Sequence, residues 1–224
     1  MDTVPTVPWL NVTAFVRQHT HDIRNHLNGI DLEAALLREL VTDPEALQGV
    51  ARLRQQVRDI ASELRGLSNR LVEPAPRPTP IAASELFEIW QEQVSAIREP
   101  PCDVKWESQL GAQTVHVDAA LFASALFELV QNAFHFYEPP GTVTCTGELA
   151  EAGVQFAVCE RKSNPPDFSL WGRTPLQTTR RGGMGLGLWN VQRVAAASQG
   201  RIERRFDGGS SRLRTVVRLP TSAE

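Results

Sequence analysis

The sequence predicts an α+β fold in two parts: a helical hairpin over residues 9–71, then an α/β sandwich over residues 81–224. Three observations predict it. Two apolar stripes of period 3.5 run through the N-terminal part, which is the spacing of a helix–helix seam. A stretch at 72–80 carries four prolines in nine residues, which removes backbone donors and bars both helix and central strand, so it reads as a semi-rigid linker and a domain boundary. Beyond it, alternating strand patterns interleave with amphipathic helices, the order of a mixed sheet with helices on one face.

The elements follow in order. Val16, Thr20, Ile23, Leu27, Ile30, Ala34, Leu37 and Val41 are spaced by alternating steps of 4 and 3, and so are Ala46, Val50, Leu53, Val57, Ile60, Leu64, Leu67 and Leu71. Thr42 to Glu45 separates the two helices; Pro44 suits a first helical turn, with Asp43 or Thr42 as its cap. A lone hairpin of this length cannot cover its stripe, so two copies are expected to pair as a four-helix bundle. Downstream, Ile81 to Arg98 reads as an amphipathic helix, Cys102 to Gln109 as a strand, Val115 to Val117 as a short strand and Asp118 to Tyr137 as a helix. Thr142 to Leu149 and Val154 to Glu160 alternate as a hairpin pair. Gly187 to Ser198 is a helix behind a glycine-rich turn, and Arg201 to Arg205 and Arg212 to Leu219 are closing strands around Gly208-Gly209.

Composition narrows the classes. With 42% hydrophobic and 22% charged residues among 224, the chain is globular in character. No apolar run approaches the ~18 residues of a membrane helix, and the N-terminus does not read as a signal peptide, so the expectation is cytoplasmic. A net charge of -3 gives no bulk reason to expect nucleic acid. Cys102, Cys145 and Cys159, odd in number and widely spaced, read as reduced thiols rather than a disulfide or zinc framework.

Three motifs carry chemistry. In the first helix, His21 is followed by Asp22 and, four residues on, by Asn25. A carboxylate near one ring nitrogen fixes the tautomer and raises the basicity of the other, and an amide on the same face can orient a water or a phosphoryl oxygen. A plain polar helix face has the same pattern. In the helix at 118–137, Glu128 and Asn132 project together, which suits a hydrated magnesium ion with phosphate oxygens, or an ordinary amphipathic helix end. Gly182-Gly183-Met184-Gly185-Leu186-Gly187 places four glycines in six positions ahead of a helix, allowing close backbone approach and aiming N–H groups at an anion. It is neither a Walker sequence nor a dinucleotide turn, and a hinge is its plain alternative. Thr178-Thr179-Arg180-Arg181 reads as a basic lid over phosphates.

In this order the pieces resemble the core of sensor histidine kinases. His21-Asp22-Ile23-Arg24-Asn25-x-Leu27 resembles the H box, Glu128-x-x-x-Asn132-Ala133 the N box, Gly183-Met184-Gly185-Leu186-Gly187-Leu188 the second glycine box, and Thr178-Thr179-Arg180 the lid motif. The resemblance covers nearly the whole chain from about residue 9. It implies a dimerisation and histidine-phosphotransfer hairpin and a Bergerat-type ATP-binding domain of the GHKL kind. It implies autophosphorylation of His21 by ATP, with Asp22 as base and Asn25 supporting dephosphorylation of the regulator. Phosphoryl transfer would then go to an aspartate of a response-regulator receiver domain. Asn132 would hold magnesium with Glu128 beside it, while Thr179, Gly183, Gly185, Leu186 and Gly187 would shape the lid and phosphate site. One box departs: in Val158-Cys159-Glu160-Arg161-Lys162-Ser163-Asn164, Glu160 stands for the aspartate that takes the adenine amine, and Lys162 and Asn164 stand for glycines. The alternative is therefore a histidine phosphotransferase, a pseudokinase relaying phosphate between receivers without ATP. With only about eight residues ahead of the first helix, the input is expected from a separate sensory partner, from the dimer itself, or from a modest ligand at the bundle top.

Overall fold

A computed structural model of the chain describes residues 8–168, 171–178 and 183–221. The chain divides into two compact units between Glu73 and Pro74.

The first unit is an antiparallel pair of helices, α1 (Trp9–Leu40) and α2 (Pro44–Leu71). Pro44 occupies the first turn of α2, where its missing N–H costs nothing, and Asp43 caps it by accepting from the Ala46 N–H at 2.8 Å. One heptad column of α1, Thr13, Thr20, Leu27 and Ala34, is buried, as are Val57 and Leu71 of α2. Arg54 crosses from α2 to α1 and grips Asp31 with Nε at 2.8 Å and Nη2 at 3.1 Å. The other column of the stripe, Ile23, Ile30 and Leu37 on α1 with Leu53 and Ile60 on α2, stays 40–48% exposed. So only half of each stripe is covered within the hairpin.

The second unit is an α/β sandwich. Its five-stranded sheet has the order β2 (Val104–Ser108), β4 (Val143–Ala150), β5 (Gly153–Arg161), β7 (Arg212–Leu219), β6 (Arg201–Asp207). The β2–β4 pair is parallel and the others antiparallel. On its inner face lie α3 (Ala83–Ser95), α4 (Ala119–His135) and α5 (Gly187–Ala197). Val154, Phe156 and Val158 alternate inward along β5 and meet Trp90, Phe122 and Val191 in one core. Trp90, fully buried, makes edge contacts with Phe87 at 5.7 Å and Trp106 at 5.1 Å.

Two details differ from expectation. The helix predicted from Ile81 starts at Ala83, because Thr79–Ala82 forms a strand, β1, paired antiparallel with β3 (Thr114–Val117). There is thus a separate two-stranded ribbon beside the main sheet rather than one sheet. Ile81 faces Val115 across that ribbon, and Pro80 is tolerated because the ribbon has free edges. Asp118 joins this region to α4: one carboxylate oxygen accepts from Leu121 N–H at 3.0 Å and the other from Arg77 N–H at 3.1 Å. No helix among the described residues is long and apolar enough to cross a membrane.

Candidate functional site

In the hairpin, His21 follows the buried Thr20 on α1 and therefore turns away from the α1–α2 seam; its side chain is 67% exposed. Its Nδ1 lies 3.2 Å from Asp22 Oδ1 and 3.4 Å from Asn25 Nδ2. One nitrogen cannot serve both at once: it donates to Asp22 or accepts from Asn25. The shorter contact and the carboxylate's charge favour a proton on Nδ1, which leaves the lone pair on the open Nε2. Gln18 donates to both Asp22 oxygens, at 3.0 and 3.2 Å. The hydrogen bond to His21, then that from Gln18, holds the Asp22 carboxyl below the usual carboxylate range. His19 instead bonds back to the Phe15 carbonyl at 3.2 Å and stacks on the Phe15 ring. Gln18 was not singled out in the sequence; its signal is the i, i+4 spacing to Asp22.

In the sandwich, α4 and the start of α5 meet. A Cβ at Gly187 would sit 2.8 Å from Glu128 Oε2, so the glycine admits α4's carboxylate to the N-terminal turn of α5. Gly185 has φ +63°, and a Cβ there would fall 2.5 Å from the Gln177 backbone. Leu176 N–H closes onto the Gly185 carbonyl at 3.1 Å. Leu186, 1% exposed, anchors the turn in the core, and its carbonyl takes the Asn190 N–H at 2.8 Å. Gly183 enters this turn; Thr179, like Arg180, Arg181 and Gly182, lies outside the described residues.

Asn132 stands one helical turn beyond Glu128 on α4. Among the described residues no group of three or more His, Cys, Asp or Glu is gathered for a metal. One carboxylate and one amide on a helix face do suit magnesium, which keeps several waters and takes phosphate oxygens as ligands. The N-terminal turn of α5, which has no side-chain cap, suits a phosphate oxygen through its backbone N–H groups, while the space beside Gly185 and Gly187 is taken by the Gln177 backbone and the Glu128 carboxylate.

The other end of the site is different. Strand alternation along β5 turns Glu160 inward after Val154, Phe156 and Val158, and Lys162 follows with the same parity. Each is 7% exposed. Lys162 Nζ lies 2.7 Å from Glu160 Oε2 and donates to the Phe136 carbonyl at the end of α4. Its backbone N–H reaches the Ser211 carbonyl at 2.9 Å. The neighbouring Ser163 donates from N–H and Oγ to Glu138 at 2.7 and 2.6 Å. Burial pushes the Glu160 carboxyl up, against the opposing pull of the Lys162 charge. Glu160 thus meets an internal ammonium where the resemblance expects a base amine, so this end does not fit adenine as it stands. Phe136, Glu138 and Ser211 were missed in the sequence because their part is a long-range one.

The structure resembles solved kinase structures across both units. Full-length ShkA in complex with AMPPNP superposes with a TM-score of 0.73 at 20% identity, covering 94% of this chain and 46% of that one. The catalytic domain of the histidine kinase ThkA matches at 0.53 and 23% identity, over 64% of this chain and 95% of that one. The Acinetobacter baumannii histidine kinase AdeS matches at 0.52 and 16%, over 91% and 98%. The fold is that of a histidine kinase core. No family model matches the sequence, and no curated protein matches it. The histidine kinase fold therefore rests on three-dimensional likeness, and the chain spans about half the length of the ShkA structure.

Proposed function

We propose that the chain is the phosphoryl-transfer core of a two-component system. It would phosphorylate His21 from ATP and pass the group to an aspartate on a response-regulator receiver domain, as a homodimer in the cytoplasm. The observation that carries this reading is the exposed His21 ring with Asp22 and Asn25 on its Nδ1 side.

With Nδ1–H held by Asp22, the Nε2 lone pair attacks the terminal phosphorus of the triphosphate. The N–P bond forms, the bridging P–O bond breaks, and the diphosphate leaves with the electron pair. The imidazolium charge that develops lies beside the Asp22 carboxylate, which stabilises it. In the second transfer, a receiver carboxylate oxygen attacks phosphorus and the N–P electron pair returns to Nε2. Asn25 is placed to orient a water or phosphoryl oxygen. Gly183, Gly185 and Gly187 would admit the phosphate chain, and Glu128 and Asn132 would hold magnesium. Bound there, the ion would neutralise phosphate charge.

The second reading, a relay that takes phosphate only from a phosphorylated receiver, is favoured by the Glu160–Lys162 contact. Labelled ATP with magnesium separates the two. Acid-labile label on wild type, on His19→Ala and on His26→Ala, but not on His21→Ala, supports the kinase. Label from a phosphorylated receiver alone supports the relay, and label surviving in His21→Ala overturns both.

A further inference from the structure

We infer that Lys162 is a specificity-determining residue: its ammonium takes the carboxylate that would otherwise read the nucleotide base, so this chain does not select adenine. The inference rests on the proposed reading only in placing a triphosphate at the glycine turn.

The site runs along α4. Glu128 marks the end beside Gly187, and Phe136 lies two turns on, about 12 Å at ~1.5 Å per residue. The resemblance places the base of the nucleotide at that distal end, and Glu160 is the buried carboxylate there. It is already engaged. Lys162 reaches it at 2.7 Å, bonds the Phe136 carbonyl, and lies 5.8 Å from the centre of the Phe136 ring. The backbone of Lys162 is tied to Ser211, and Ser163 is clasped by Glu138. Both side chains are buried, so the contact is one between desolvated charges. An exocyclic amine gains Oε2 only by displacing a buried ammonium from it. Desolvated charges give up such partners at high cost. Recognition thereby shifts to the part that all nucleoside triphosphates share.

The test compares magnesium complexes of ATP, GTP and inorganic tripolyphosphate by titration calorimetry on the full chain. In wild type the three affinities fall within about threefold of one another. Lys162→Gly raises ATP affinity about tenfold or more and leaves tripolyphosphate unimproved. Because that variant strands a buried carboxylate, Glu160→Gln/Lys162→Gly is made alongside. It removes both charges and keeps an amide oxygen to accept the amine, and it shows the same gain. A wild type that already prefers ATP to GTP by about tenfold, no gain for ATP in either variant, or a gain shared equally by tripolyphosphate overturns the inference. Failure of the phosphotransfer reading is seen separately, as no label on His21 from ATP or from a phosphorylated receiver.

Discussion

Glu160 and Lys162 show how single residues set the pH response of this protein. Burial raises the Glu160 carboxyl, so on its own it favours the folded state at low pH and opposes it as pH rises through its folded-state value. The Lys162 ammonium offsets that penalty wherever Glu160 is ionised. Lys162→Met, which keeps the bulk and removes the charge, is therefore expected to cost roughly 3 kcal/mol near pH 7 and much less near pH 4. Thermal melts at the two pH values check this; an equal deficit at both would mean that Lys162 acts through packing alone. His21 and Asp22 sit at the opposite extreme of solvation. Their pair is exposed, so Asp22 matters for the tautomer of the ring rather than for stability.

Among the elements, α1 and α2 carry the clearest unmet demand. A period-3.5 stripe is wide enough to touch two neighbours, and the hairpin supplies one. Ile23, Ile30 and Leu37 form a column one heptad apart, with Leu53 and Ile60 on the partner helix, all left exposed. A second copy of the hairpin would cover them as a four-helix bundle. Ile23→Lys with Ile60→Lys is expected to convert a dimer into a monomer by light scattering behind size exclusion, with helix content largely kept. An unchanged mass would move the dimer contact elsewhere. In the sandwich, α5 buries the apolar column Val191, Val194 and Ala195 and adds a close approach at a glycine. The Glu128 carboxylate lies in the space a Gly187 Cβ would need, so the first turn of α5 approaches it only with glycine at that position.

Across the whole molecule, the chain is two compact units that meet at a proline-rich segment, with the division between Glu73 and Pro74. Backbone with prolines at 74, 76 and 78 has few donors to join either unit, although Arg77 N–H is held by Asp118. Brief digestion with a broad-specificity protease is expected to cut first at residues 72–76 and to leave a C-terminal fragment with a cooperative melt. First cuts inside α2 or β1 would contradict that division.

Local pattern by itself determined the hairpin, its break at Asp43-Pro44, the helix that begins near Asp118 and the order of the sheet hairpins, because each is a local pattern of burial or capping. It also brought His21, Asp22 and Asn25 onto one face, since helical spacing needs no tertiary information. It did not show the ribbon of β1 and β3: the partners Ile81 and Val115 are far apart in sequence, and Ile81 also fits a helical period. Nor did it show what Lys162 does. Strand parity turned Lys162 inward with Glu160, but only packing against the end of α4 supplied the Phe136 carbonyl that holds it there. Local spacing decides which way a side chain points, whereas its electrostatic partner depends on which distant backbone arrives beside it.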